Sequence, residues 1–171
     1  MLKLAHARSL IILKDPFMTA NEKCVIRLSD ERGALIETRY IEFETDKGEV
    51  VDITDEVQKS LESTSLKAGA MVIFVPGATG AVTTIEYEDG LVADLGDALE
   101  RIAPQNIDYS HNLRWHDGNG HSHIRASLIG PSLIVPFAAR RLILGTWQQI
   151  VFLELDNRKR HRKLVLQMMG E

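Results

Sequence analysis

The feature that most constrains the fold of this chain is a succession of short apolar runs of strand length, found along most of its sequence. Residues 40–45 alternate in polarity and precede a turn signal at Asp46–Gly48, so a hairpin with residues 50–53 is predicted. A continuous apolar run at 71–75 predicts a strand buried on both faces. The remaining predicted strands are residues 10–13, 25–28, 82–87, 133–138, 142–144, 149–155 and 164–169, with a hairpin turn at Asp156–Asn157 joining the last two.

Three segments carry helical patterns instead. One helix is predicted from an N-cap at Thr54 to a point before Gly69, with Val57 and Leu61 facing inward. A second spans residues 91–102 and is closed by Pro104. A third, Gly120–Ile129, begins after Asn119 as N-cap and stops at Gly130 and Pro131. Because strands outnumber helices without regular alternation, the predicted class is α+β with mostly antiparallel sheet.

Composition narrows the class of protein. The length of 171 residues suits a single domain over residues 1–171, and 44% hydrophobic with 26% charged residues is typical of a globular protein. The only cysteine, Cys24, excludes an internal disulfide and a cysteine-built zinc site, and its apolar neighbours predict a buried, inert thiol. A net charge of −4 argues against nucleic acid as partner. Neither a signal peptide nor a membrane span is expected, so a cytoplasmic location is predicted.

The densest polar stretch is Tyr109–His123, which holds four of the six histidines. The sequence Asp-Gly-Asn-Gly at 117–120 is a strong turn signal, and a turn alone would account for its polar residues. A turn does not require histidines, however, and gathered imidazoles commonly bind a divalent metal or transfer protons. If the following segment is a helix, as predicted, His121 and Arg125 share a face and His123 is rotated away; in a strand all three would face one way.

Two further segments are candidates for binding anions. Arg160 and Arg162 are predicted to project to one face of the last strand, where their forked guanidinium groups suit phosphate oxygens. An edge strand protected by charge is the plainer interpretation, which composition alone favours. The glycine-rich loop at 76–81, which contains Thr79, can present backbone N–H groups to an anion but lacks the spacing of a P-loop. Glu86, at the end of the next strand, is either a buried acid or an exposed one.

Taken together, these segments resemble the YjbQ-like family of uncharacterised proteins, which is associated with secondary thiamine-phosphate synthase activity. The motifs that carry the resemblance, in order, are Asp52–Asp55, Val75–Glu86, Tyr109–His111, Asp117–His123, Gly130–Ser132, Val135–Pro136 and Leu144–Ile150, followed by Glu154, Arg158 and Arg160. The resemblance implies a compact α+β sandwich assembled as a homotrimer. One departure is Gly77, which stands where many members have a histidine, so any role of that histidine cannot be carried over.

The implied reaction joins a pyrimidine methyl diphosphate to a thiazole phosphate and releases pyrophosphate, which must be neutralised by cations. The residues expected to take part in catalysis are His111, Asp117, Asn119, His121 and Glu86. Those expected to bind the phosphorylated metabolite are Thr79, Arg125, Gln148, Arg158 and Arg160. A divalent metal, Mg or Zn, is expected on His111, His121 and His123, and no organic cofactor is expected. Two alternatives stay open: a non-catalytic trimer that binds a phosphorylated metabolite or metal, and a metal-assisted hydrolase.

Overall fold

The computed structural model describes residues 10–12 and 26–29 by their backbone and residues 35–171 in full. Cys24, predicted to be a buried thiol, lies outside the described residues. The strands are β1 (Leu10–Ile12), β2 (Ile26–Ser29), β3 (Leu35–Thr45), β4 (Val50–Asp52), β5 (Ala68–Phe74), β6 (Gly80–Ile85), β7 (Ser132–Ala138), β8 (Arg141–Leu142), β9 (Gln149–Glu154) and β10 (Arg160–Gly170). The helices are α1 (Thr54–Glu62), α2 (Asp89–Ile102), α3 (Ser110–Trp115) and α4 (Gly120–Ile129). The fold is α+β, as predicted from the sequence.

The strands form two sheets, and the paired strands within each sheet are antiparallel. The larger sheet has the order β1-β2-β3-β10-β5-β7-β8, and the smaller one has the order β4-β9-β6. Phe43 of the larger sheet meets Phe152 of the smaller sheet edge-on, with ring centroids 5.4 Å apart. Buried residues of both sheets belong to one apolar cluster, which includes Met71, Leu164 and Ile150, so the sheets pack face to face as a sandwich.

A third layer covers the other face of the smaller sheet. Val151 and Leu153 of β9 pack there against Leu99 of α2 and Ala126 of α4. Because β9 has neighbours on both faces, it is buried along nearly its whole length. This central strand therefore fixes α4, and with it the histidine-rich segment, against the sandwich.

Both predicted hairpins are wrong in the same way. The turn after β3 exists, with Glu49 N donating to Asp46 O at 3.2 Å, but β4 pairs with β9 rather than with β3. Likewise β9 pairs with β4 and β6, whereas β10 lies in the other sheet between β3 and β5. Each turn carries the chain from one sheet to the other. The alternation of apolar residues predicts a strand but does not identify its hydrogen-bonding partner.

The predicted helices are confirmed. Val57 and Leu61 of α1 are fully buried, as predicted. Thr54 was predicted as the N-cap, but Ile53 is the N-cap and Thr54 is the first residue of the helix, with its hydroxyl donating to Asp52 Oδ1 at 2.6 Å. The third predicted helix has the bounds of α4, although the side chain of Asn119 does not cap it. Within the described part of the chain, no helix combines the length and the apolar character needed to cross a membrane.

The prediction that residues 71–75 are buried on both faces is wrong. Met71, Ile73 and Val75 face the core of the sandwich, but Phe74 on the opposite face is 40% exposed. On the same outer face, Ile134 is 67% exposed and Met169 is 41% exposed; they lie opposite Val72 and Ala70, two and four residues before Phe74 along β5. We call Phe74, Ile134 and Met169 the outer apolar patch. An apolar run predicts a strand, yet it does not distinguish a covered face from one left open within a single chain.

Candidate functional site

The polar stretch folds into α3, a tight turn and α4. The turn needs a left-handed backbone at His116 (φ 54°) and Gly118 (φ 63°), which the glycine adopts without strain. Gly120 then brings α4 against α3, because a Cβ at this position would lie 2.5 Å from Cβ of Tyr109. Asn112 Oδ1 also accepts from Gly120 N at 2.8 Å. The Asp-Gly-Asn-Gly sequence is therefore a structural turn, and it also places the histidines on either side of it.

His111, Asp117 and His123 meet at this junction, and we call them the histidine cluster. The His111 and His123 rings lie 4.3 Å apart between centroids, and His111 Nε2 lies 3.2 Å from Asp117 Oδ2. One ligand atom from each of the three residues lies within 4.8 Å of the others. The side chains of His111 and Asp117 are 29% and 41% exposed, so the cluster is open to solvent. Two imidazoles and one carboxylate with an open side are the ligands of a catalytic zinc-type site.

The carboxylate of the histidine cluster is held in its ionised form. Desolvation acts to raise the pKa of Asp117, but hydrogen bonds from Asn119 N and His111 outweigh it, so the pKa lies below its usual value. Asn119 N donates to Asp117 Oδ1 at 3.2 Å, and Asn157 Nδ2 donates to Asp117 O at 2.9 Å. The Asp117 carboxylate is therefore oriented by Asn119 N, as a metal-binding carboxylate commonly is oriented by its neighbours, while Asn157 fixes the backbone of the same residue.

His121 lies on the other side of α4, where it is 4% exposed and lines a pocket of about 100 Å³. We call this partly open pocket, between α2, α4 and the end of β9, the α2–α4 pocket. Burial lowers the pKa of His121, and the nearby charges of Arg125 and Lys47 lower it further, so the ring is neutral at pH 7. The sequence predicted His121 as a metal ligand beside His111 and His123; among the described residues, Asp117 takes the third place in the cluster instead.

Arg125 shares this face of α4 with His121, as the helical interpretation predicted. Its Nε donates to Ala103 O at 2.9 Å, and its Nη2 pairs with Glu100 at 2.5 Å. The hydrogen bond from Gln105 N and the Arg125 guanidinium hold the pKa of Glu100 below its usual value. Arg125 therefore ties α4 to the end of α2, and its charge is already balanced by a carboxylate.

A buried network of charges lies behind the pocket. Arg162 donates from Nε to Glu154 Oε2 at 2.6 Å, and its Nη2 contacts Glu154 Oε1 and the hydroxyl of Thr79. Thr79 donates in turn to Asp156 Oδ2 at 2.9 Å, and Arg160 pairs with the same oxygen. Desolvation acts to raise the pKa of Asp156, but these hydrogen bonds and the arginine charges outweigh it and lower the pKa. Arg160 and Thr79, predicted to bind phosphate, are engaged by protein carboxylates.

The remaining predicted residues lie in different places. Arg158 is exposed in the turn between β9 and β10, one residue after Asn157, whose side chain donates to the backbone carbonyl of Asp117. Glu86 and Gln148 are also exposed, but they lie at the far end of β6, where Gln148 Nε2 donates to Thr84 Oγ1 at 3.0 Å. Five strand steps separate that end from Thr79, which is roughly 17 Å. Within one chain, Glu86 and Gln148 therefore lie well apart from Thr79 and the charge network around it.

Sequence reasoning missed two parts of this region. Asp156 was treated only as a turn residue, and Glu100 was not singled out, although each neutralises an arginine that was predicted to bind phosphate. The position of Asp156 four residues before Arg160 was the available signal. Gly77 (φ 120°) lies beside this network, since a Cβ there would lie 3.7 Å from Arg162 Nη1.

Comparison with known proteins gives consistent results. The family model for UPF0047 protein YjbQ-like matches residues 39–171. A UPF0047 protein of Archaeoglobus fulgidus is 37% identical over 117 residues, covering 68% of this chain and 89% of the relative. UPF0047 protein YugU of Bacillus subtilis is 36% identical, covering 74% of this chain and 93% of the relative. The crystal structure of a YbjQ-like protein of unknown function from Sulfolobus solfataricus matches with a TM-score of 0.73 at 30% identity, covering 80% of this chain and 99% of that one.

Proposed function

Since this chain belongs to the UPF0047 protein YjbQ-like family, we propose that it is a metal-dependent enzyme that hydrolyses a small phosphorylated metabolite at the histidine cluster. The single observation that carries the proposal is the convergence of His111, Asp117 and His123, whose ligand atoms lie within 4.8 Å of one another on an open surface. A structural metal site would be closed by a fourth protein ligand, whereas a catalytic site keeps a position open.

The donor atoms decide which ion fits. Two imidazole nitrogens and one carboxylate oxygen suit zinc or another transition metal better than magnesium, which prefers oxygen ligands. Such an ion supplies Lewis-acid activation of water and of a phosphoryl oxygen. The protein contributes the orientation of Asp117, through the backbone of Asn119 and the side chain of Asn157. Of the two metals expected from the sequence, the geometry favours zinc.

The proposal of a phosphorylated substrate rests on Arg158. Its guanidinium is exposed and, among the described residues, has no recorded ion pair or hydrogen bond, whereas Arg125, Arg160 and Arg162 each bind a carboxylate. An exposed arginine loses little when it binds phosphate, but a buried arginine would have to leave its carboxylate unpaired. Arg158 follows Asn157, whose side chain donates to the backbone carbonyl of Asp117. In this proposal the Arg158 guanidinium binds the phosphate of a substrate held at the cluster.

The secondary thiamine-phosphate synthase reaction that the resemblance implies is less well supported by this geometry. A pyrophosphate leaving group needs several free cations, and three arginines near the pocket are already balanced by Glu100, Glu154 and Asp156. The pocket of about 100 Å³ is also well below the ~300–1,000 Å³ typical of sites for drug-sized ligands. The synthase reaction therefore serves as the comparison in the assay.

The test combines metal loading with turnover. Protein loaded with zinc or manganese is offered a panel of small phosphate monoesters, with release of inorganic phosphate as readout, and in parallel a pyrimidine methyl diphosphate with a thiazole phosphate. The proposal expects metal-dependent phosphate release, and a loss of at least ~100-fold in His123→Ala. His116→Ala, which removes an exposed histidine outside the cluster, is the matched control. Formation of thiamine phosphate without hydrolysis of any monoester would replace the proposal by the synthase reaction.

We also propose that the chain assembles as the homotrimer that the resemblance implies, through the outer apolar patch. Phe74, Ile134 and Met169 lie on neighbouring strands and are 40%, 67% and 41% exposed. Large apolar side chains left exposed on one face of a sheet are typical of a subunit interface. Light scattering of Ile134→Lys is expected to show a smaller assembly than the wild type. Leu128→Lys, at a leucine of α4 that is 59% exposed, is the control; a wild-type monomer at micromolar concentration would contradict the proposal.

A further inference from the structure

The α2–α4 pocket has an apolar wall and is partly open to solvent. Val92, Leu95 and Leu99 of α2 line it, as do Leu153 and Leu155 at the end of β9. Its volume of about 100 Å³ exceeds the ~30 Å³ that one water molecule occupies in the liquid, and water beside these side chains finds few polar partners. Replacing such poorly bonded water by an apolar group favours binding, so the pocket suits a small apolar body.

Gly96 widens this pocket at a cost to α2. It lies inside the helix, where glycine is less favourable than alanine. Its φ is not positive, and nothing lies within 4 Å of the position that its Cβ would take, so neither the backbone nor the packing requires a glycine. Glu100, one turn later on the same face of α2, pairs with Arg125 of α4, so a side chain at residue 96 would point toward α4. The glycine therefore leaves room that the folded chain does not use.

The charged residues that line the pocket include one cation without a partner. Three of the four are paired with residues outside the lining, as Arg125–Glu100, Glu154–Arg162 and Asp156–Arg160. The fourth is Lys47, which is exposed and makes no ion pair or hydrogen bond with any of the described residues. Burial lowers the pKa of His121, and the charge of Lys47 adds to that effect, so the ammonium group lies near enough to act on a ligand in the pocket.

We propose that the α2–α4 pocket binds a small monocarboxylate, with its apolar body against α2 and β9 and its carboxylate paired with Lys47. The ammonium group of a lysine is carried on a flexible stem of four carbons, so that of Lys47 can move to meet the carboxylate of the bound ligand.

The charge of the ligand follows from the charges of the lining. A phosphate group carries close to two negative charges at neutral pH, but only one unpaired cation lines the pocket. Glu154 and Asp156 line it as well and would repel the second negative charge. A single carboxylate balances the single charge of Lys47, and a neutral ligand of the same shape would gain nothing from it.

The pocket is separate from the histidine cluster. His121 and His123 are two residues apart on α4, which rotates their side chains by about 200°. None of the three residues of the cluster lines the pocket. The carboxylate site therefore does not depend on the proposed function, and a failure of metal binding at the cluster would leave it unaffected.

The test uses the full chain and two pairs of probes at about pH 7, where carboxyl groups are ionised. Isovalerate and benzoate carry the carboxylate, and isovaleramide and benzamide have nearly the same shapes without the charge. Titrations are followed by NMR of protein with ¹³C-labelled leucine methyl groups, which include those of Leu95, Leu99 and Leu153 in the pocket wall. At least one carboxylate is expected to shift these signals to saturation at one site per chain. Its amide is expected to bind at least about fivefold more weakly.

Two variants test the charge and the room separately. Lys47→Met keeps an apolar stem and removes the charge, so the affinity for the carboxylate should fall to that for its amide. Lys59→Met, at an exposed lysine of α1 outside the pocket lining, is the matched control and should bind as the wild type does.

Gly96→Leu fills the room beside α2, and the affinity for carboxylate and amide alike should fall at least about tenfold. Leucine is the better helix former, so the urea midpoint should be no lower than that of the wild type, which separates blocking of the pocket from unfolding. Ala93→Leu, at an exposed residue of α2 outside the lining, is the control.

Zinc affinity is measured on the same variants and should equal that of the wild type, which keeps this inference apart from the proposed metal site. Three results would each overturn the inference. They are no saturable shift with either carboxylate, equal affinity of the wild type for carboxylates and amides, and wild-type affinity for the carboxylate in Lys47→Met or Gly96→Leu.

Discussion

Replacing Arg162 by Met tests whether the buried charge network holds the site together. Arg162 is 8% exposed and donates to both carboxylate oxygens of Glu154 and to the carbonyl and hydroxyl oxygens of Thr79. The substitution keeps most of the apolar volume but leaves Glu154, which is 1% exposed, without its counter-ion. Two donors to Glu154 remain, Thr45 Oγ1 at 2.7 Å and Asp156 N at 2.9 Å.

Removing one partner of a buried ion pair costs about 3–5 kcal/mol, and the two remaining donors place the expected loss at the lower end, ~3 kcal/mol. With a urea m-value of about 2 kcal/mol per M, the unfolding midpoint should fall by roughly 1.5 M. Urea titrations followed by circular dichroism at one protomer concentration measure this, because assembly would otherwise shift the midpoint.

The matched control removes both charges. Arg162→Met combined with Glu154→Leu eliminates the unpaired carboxylate, although Thr45 and Asp156 N lose an acceptor at about 1 kcal/mol each. The double variant is therefore expected to be more stable than Arg162→Met by about 1–2 kcal/mol. A loss below about 1 kcal/mol in Arg162→Met, or a double variant less stable than the single one, would refute the reasoning.

Two further predictions concern the packing and the charge of the site. Gly120→Ala places a Cβ 2.5 Å from Tyr109 Cβ, so α3 and α4 must move apart. Urea unfolding is expected to show a loss of about 1–3 kcal/mol in the free energy of unfolding, and metal titration is expected to show weaker zinc binding. Wild-type values in both measurements would contradict the packing argument. The lowered pKa of Asp156 stabilises the fold above the pKa of an unfolded aspartate, and this contribution is lost as the pH falls below about 4 through the native pKa. Thermal unfolding between pH 6 and pH 3 should show the decline, with a shallower decline in Asp156→Asn; parallel profiles would exclude Asp156 as a contributor.

The sequence predicted the secondary structure well where the pattern was local. The helix after Asn119 was predicted with the bounds that the structure shows, because Gly130 and Pro131 end it, although the side chain of Asn119 does not cap it as predicted. The two hairpins were wrong because pairing depends on contacts far apart in sequence. In each case a short turn joins strands of opposite sheets, at residues 46–49 and 155–159, and nothing in the turn residues distinguishes that from a hairpin.

The sequence predicted residues of the candidate site better than it predicted which of them lie together. Helical periodicity correctly separated His121 from His123, but it could not show that α3 would bring His111 and Asp117 to the side of His123. The arginines were predicted as phosphate ligands from their own chemistry. Their carboxylate partners come from α2 and the end of β9, and burial makes pairing with those partners the favoured state.

The measurement that tests the central claim most directly is calorimetry of zinc binding to the wild-type chain and to three single variants. The account predicts one tightly bound ion per chain, a loss of at least ~10-fold in affinity for each of His111→Ala, Asp117→Asn and His123→Ala, and no change in His116→Ala. Cobalt in place of zinc should give the absorption of a site with mixed nitrogen and oxygen ligands. No stoichiometric binding by the wild type, or wild-type affinity in all three variants, would contradict a metal site at the histidine cluster.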